Sequence, residues 1–132
     1  MTGNENKEYA GQWVVKAEHD LVTAERTLSM ETPPTDTPCF HAQQAVEKSL
    51  KALLTLRGIE FPRTHDRLVL LDIVNTLTDE FAQFRTMLAE INSYAIEARY
   101  PGDCVDPSID DASQAVRTAR SITEIVKAML SQ

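Results

Sequence analysis

Phe81, Phe84, Leu88, Ile91, Ala95 and Ala98 follow one another in steps of three and four. That spacing draws an apolar line down one side of a helix, and it cannot line one face of a strand, whose side chains repeat every two residues. The same spacing recurs in four other stretches. Trp13, Ala17, Leu21, Ala24 and Leu28 form one stripe; Ala42, Ala45, Val46, Leu50, Leu53 and Leu56 form a second. Leu68, Leu71, Val74 and Leu77 make a short one, and Ala112, Ala115, Ala119, Ile122, Val126 and Met129 the last. Strand-like alternation is weak throughout. The pattern predicts amphipathic helices that hide their stripes against one another.

Helix-stopping residues separate the stripes. Glu31-Thr32-Pro33-Pro34 ends the first, because proline lacks the amide donor and clashes with the preceding turn. Asp36-Thr37-Pro38 suits the start of the second helix, and Gly58 suits its end. Thr64 is the expected N-cap of the short third helix, Thr78-Asp79 interrupts the pattern after it, and Pro101-Gly102 stops the fourth. Pro107-Ser108 opens the fifth. The expectation is an all-α, up-and-down bundle of about five helices with short connections. With 132 residues, 42% of them hydrophobic, it forms one domain over 1–132, residues 1–8 being disordered.

No apolar run approaches the roughly 20 residues of a membrane-spanning helix, and the polar opening M-T-G-N-E-N-K-E-Y-A does not read as a signal peptide. A soluble, cytoplasmic protein is expected. Cys39 and Cys104 stand far apart without metal-ligand spacing, so neither a metal nor a cofactor is expected.

The net charge of −7 argues against a broad nucleic-acid track, which needs cations to neutralise phosphates. Between Lys48 and Arg67, however, Lys48, Lys51, Arg57, Arg63 and Arg67 face only Glu60 and Asp66. A local basic island suits a compact anion or a defined RNA contact. On the second helix, His41, Gln44, Lys48 and Lys51 fall within about 80° of one another at 100° per residue, away from the apolar arc. The stripe reads either as a solvated face or as an imidazole, an amide and two ammonium groups gathered for phosphate oxygens. His65, in R-T-H-D-R-L, reads as a first-turn residue or as part of an anion site at a helix start. His19 reads as a surface or interface residue. Arg99 and Tyr100, in A-R-Y-P-G, read as a cation on the helix dipole and an amphipathic lid, or as a phosphate grip and a stacking ring. Spacing alone leaves both open.

Four segments in order, W-V-V-K-A-E-H-D-L-V-T-A-E, F-H-A-Q-Q-A-V-E-K-S-L-K-A-L-L, T-H-D-R-L-V-L-L and A-R-Y-P, resemble the HEPN family, small all-helical domains of prokaryotes found alone or beside minimal nucleotidyltransferases. The resemblance covers nearly the whole chain. It implies a helical bundle of the nucleotidyltransferase substrate-binding-subunit type that forms a homodimer, nucleotide or RNA chemistry, and a two-gene unit with a minimal nucleotidyltransferase partner. Many HEPN proteins are metal-independent ribonucleases or toxins of toxin–antitoxin pairs, with an arginine followed after four to six residues by a histidine. Here no arginine precedes His19 or His41 in that window; Arg57 lies too far from His65 and Arg63 too near. The leading expectation is therefore a nucleotide- or anion-binding module using His41, Gln44, Lys48, Lys51, Arg99 and Tyr100, with His65 as a further candidate. A ribonuclease toxin using His41 or His65 with Arg99 is the alternative, and a dimeric scaffold the third.

Overall fold

The structure is a computed structural model and describes residues 2–97 and 106–132. Five α-helices account for most of them: α1 (Gly3–Leu28), α2 (Asp36–Leu56), α3 (Arg67–Val74), α4 (Arg85–Glu97) and α5 (Ile109–Leu130), with a 3-10 turn at Ala82–Phe84 leading into α4. No strand occurs among the described residues. The all-helical fold read from the spacing is therefore the observed one.

α2 is the central element and packs against all four other helices. Its burial follows from its sequence. Ala42, Ala45 and Ala52 are fully buried and let neighbouring axes come close, while Val46, Leu50, Leu53 and Leu54 fill the space between. α1 runs antiparallel to it, since Asp20 of α1 meets His41 and Lys48, whereas the earlier Trp13 meets the later Lys51. α5 lies beside both. A buried hydrogen bond of 2.8 Å between Ser49 and Thr123 joins it to α2, and Arg120 and Lys127 tie it to α1. α3 and α4 pack antiparallel to each other, with Arg67 on Asn92 and Arg85 on Asp72.

The ends of the helices follow local chemistry. α2 stops where Gly58 takes φ +69°, a left-handed conformation that costs glycine nothing, and Ile59 N–H donates to the Leu54 carbonyl at 2.9 Å. α5 starts on a capping box: Ser108 accepts from the Asp111 amide, and the Asp111 side chain accepts from Ser108.

Four boundaries differ from those expected. α1 starts at Gly3, because Thr2 caps it by accepting from Glu5 N–H, so residues 3–8 are helical rather than disordered. α3 is capped by Asp66, whose Oδ1 accepts from the amides of Leu68 and Val69, and Thr64 serves instead to receive the Asp66 amide. That helix ends at Val74, leaving Leu77 outside it. Phe81 and Phe84 precede α4 proper, yet Phe81 is fully buried, so its apolar spacing reports packing rather than helix. The expected stop at Pro101-Gly102 lies outside the described residues.

Candidate functional site

Two polar clusters flank α2, each built around one carboxylate. The first centres on Asp20 of α1, which is buried. Its Oδ1 lies 2.8 Å from His41 Nδ1 and its Oδ2 lies 2.6 Å from Lys48 Nζ. His41 and Lys48 are two turns apart on α2, so both side chains leave the same side of the helix and reach the same carboxylate. Gln44 stands between them, half-buried. A carboxylate only accepts, so in the neutral imidazole the proton sits on Nδ1 and leaves Nε2 as a bare acceptor. About a quarter of each of the His41 and Lys48 side chains is exposed.

The second cluster centres on Glu47, whose side chain is only 4% exposed. Lys51 Nζ lies 3.1 Å from Oε2, Arg67 Nη1 lies 3.6 Å from Oε1, and His65 Nδ1 lies 3.2 Å from both oxygens. Arg67 also donates from Nε to Asn92 Oδ1 at 2.8 Å. Burial lowers the Arg67 pKa, with Glu47 and then Asp66 opposing that shift. The Lys51 ammonium lies 5.5 Å from the centre of the Trp13 ring and 6.0 Å from that of Phe61, within cation–π reach. Beside this cluster the Gln43 side-chain amide donates to the Ile91 carbonyl and fastens α2 to α4.

The expected four-residue stripe therefore divides. His41, Gln44 and Lys48 stay together at the α1/α2 surface. Lys51 is buried rather than part of a polar stripe away from the core, because Trp13 and Phe61 cover it and Glu47 neutralises it. His65, 86% exposed at its side chain, joins Lys51 through Glu47. Arg99 and Tyr100 lie outside the described residues. His19 is exposed on α1.

Sequence reasoning missed the two hubs. Asp20 and Glu47 looked like two carboxylates among twenty acidic residues. A signal for Asp20 was present in register: an antiparallel neighbour placing one acid opposite two basic residues seven apart would produce this pairing. Cys39 is buried between helices, and burial, with Asp111 and Asp36 adding to it, pushes its thiol up to about 11. Among the described residues, no three His, Cys, Asp or Glu side chains converge in a way that could hold a metal ion. No helix there is long and apolar enough to cross a membrane.

The comparisons with known proteins agree with this architecture. MJ1304 of Methanocaldococcus jannaschii, which is named as a candidate toxin, is 26% identical over 141 aligned positions covering 96% of this chain and 91% of its own. The crystal structure of ST0689, described as an archaeal HEPN homologue, superposes with a TM-score of 0.71 at 27% identity, covering 92% of this chain and 97% of ST0689. That of TT1696 from Thermus thermophilus gives the same TM-score at 26% identity, over 90% and 96% of the two chains. The sequence model of the HEPN domain matches residues 10–129. This chain is a member of the HEPN family.

Proposed function

We propose that this HEPN protein is a nucleotide- or anion-binding module that acts with a minimal nucleotidyltransferase partner in a toxin–antitoxin unit. The observation that carries the reading is the Asp20 cluster. His41 and Lys48 are held side by side at the α1/α2 surface, each with part of its side chain open to solvent, and Gln44 adds an amide between them. The Lys48 ammonium is paired with the Asp20 carboxylate at 2.6 Å, so an anion must draw it away from Asp20. Arg99 and Tyr100 supply the bidentate cation and the stacking ring in this reading. The toxin name of MJ1304 supports the toxin–antitoxin setting, and the missing arginine–histidine spacing favours binding over cleavage.

Calorimetric titration with ATP and with inorganic pyrophosphate tests it. Binding that weakens in Lys48→Ala and Arg99→Ala, and tightens in Asp20→Asn, is the expected result. No heat with either ligand, alone or with the nucleotidyltransferase, removes the ligand half of the reading.

One observation favours a second reading, a metal-independent ribonuclease toxin. Both His41 and His65 have Nδ1 against a carboxylate, the arrangement that orients an imidazole as a general base. RNA cleavage without added metal, lost in His41→Ala, would establish it; intact RNA after incubation with wild type would end it.

A further inference from the structure

One to three turns upstream of Asp20, Tyr9, Gln12, Trp13 and Lys16 line a surface cavity of about 260 Å³. All four belong to α1. Tyr9 and Trp13 are one turn apart, Lys16 follows Trp13 by three residues and Asp20 follows Lys16 by four, so the two rings, the ammonium and the carboxylate share one side of the helix. Tyr9 is 51% exposed, on a helix whose core-facing stripe is complete without it. Trp13 is half-buried and held in place, because the Lys51 ammonium sits over its ring and is itself fixed by Glu47. Gln12 brings an amide that both donates and accepts.

We infer that this cavity is the base subsite of a nucleoside-phosphate site whose phosphate end is formed by Lys16, His41 and Lys48. The inference rests on the nucleotide reading above and adds, on α1, a stacking surface for the base beside the ring that reading takes from Tyr100. A base stacks on Tyr9 and Trp13, its edge meets Gln12, and the sugar runs along α1 toward Asp20. At about 1.5 Å per residue, Trp13 and Asp20 are about 10 Å apart along the axis, the scale of a nucleoside with its phosphate. Nothing else on α1 combines two aromatic rings with a cation pointing the same way. The fixed Trp13 ring loses little freedom on binding, and that favours stacking over an accidental contact.

Trp13 is the chain's single tryptophan, so its fluorescence reports this cavity alone. Wild type, Tyr9→Ala and Lys48→Ala are titrated with AMP, ATP, adenosine, inorganic pyrophosphate and a 5′-phosphorylated oligoadenylate, following both fluorescence and heat. The expected result is saturable quenching by AMP and ATP and none by pyrophosphate. Tyr9→Ala weakens AMP at least about tenfold, in line with the loss of one stacking partner, and leaves pyrophosphate unchanged. Lys48→Ala weakens AMP, ATP and pyrophosphate. Stronger binding of the oligoadenylate than of AMP assigns the ligand as a strand end, and the reverse assigns a free nucleotide; both keep the base subsite. Heat with pyrophosphate and ATP alike, with silent Trp13 and no effect of Tyr9→Ala, overturns the inference while the anion site stands. No binding of any of the five overturns both.

Discussion

Glu47 is reached by side chains from three places in the chain: Lys51 on α2, His65 before α3 and Arg67 on α3. Lys51 and Arg67 are almost buried, so removing their carboxylate strands two charges away from water. Glu47→Ala is expected to lose about 3–5 kcal/mol of stability, the usual cost of breaking a buried ion pair from one side. Glu47→Gln, which keeps a hydrogen-bond acceptor, should lose less. Urea unfolding of the three proteins measures both. The sequence showed the angular position of Glu47 and Lys51 on α2 but not what covers them, because α3 and Phe61 arrive from elsewhere in the chain. Helical angle predicts which residues share a side and says nothing about which sides are roofed. Cys39 gives a second expectation at this scale. With its thiol pushed up to about 11 by burial and by Asp111 and Asp36, it is almost entirely protonated near neutral pH. In a Cys104→Ser background, Ellman's reagent should label folded protein very slowly and urea-unfolded protein at once; rapid labelling of the folded state would contradict the burial.

The long helices were the most legible elements, for reasons that differ at their two ends. α2 and α5 begin where Asp36-Thr37-Pro38 and Ser108 lead the apolar spacing, and α2 ends on the one glycine of positive φ among the described residues. These are local signals, carried by residues within a turn of the boundary. Adding a Cβ at Gly58 would strain that conformation and bring the new atom to 3.3 Å from the Asn6 side-chain nitrogen. The start of α1 was illegible because Gly3, Asn4 and Asn6 are poor helix formers. Thr2 and the buried Ala10 and Val14 further along carry that first turn instead. The α5 capping box is the sharpest such device, and Ser108→Ala should lower stability by about 1 kcal/mol. Ser108→Gly should cost only a few tenths. Thermal unfolding distinguishes the two, and equal losses would show that the Ser108 hydroxyl is not what caps the helix.

At the scale of the whole molecule, an acidic chain holds its helices together partly by where its cations sit. Arg120 on α5 meets Glu18 at 2.8 Å and Glu25 at 2.6 Å on α1, and Lys127 reaches the same Glu18 at 3.0 Å. Burial would raise the Glu18 carboxyl, but hydrogen bonds from Lys127 and Arg120 outweigh it and hold the carboxyl below its ordinary 4.5. The hydrogen bond it donates to Glu18 raises the Lys127 ammonium, and the one donated to Glu25 leads the causes raising the Arg120 guanidinium. A depressed carboxyl binds its proton less readily when folded than when unfolded. Its contribution is therefore complete above the ordinary carboxylate value and disappears as pH falls through the lower, folded one. The raised lysine works the other way, contributing below its ordinary 10.5 and losing that contribution as pH rises through the folded value. The clasp should thus be strongest between those limits. Because Glu18 keeps about a quarter of its side chain exposed, solvent screening limits its share to about 0.5–1 kcal/mol. Urea unfolding of Glu18→Gln should show that deficit near neutral pH and lose it as pH falls through the lowered folded value of Glu18, where wild type loses the charge as well. High salt should shrink the neutral-pH difference as well. A deficit that persists unchanged at acid pH would mean that Glu18 fastens α1 to α5 through packing rather than through its charge.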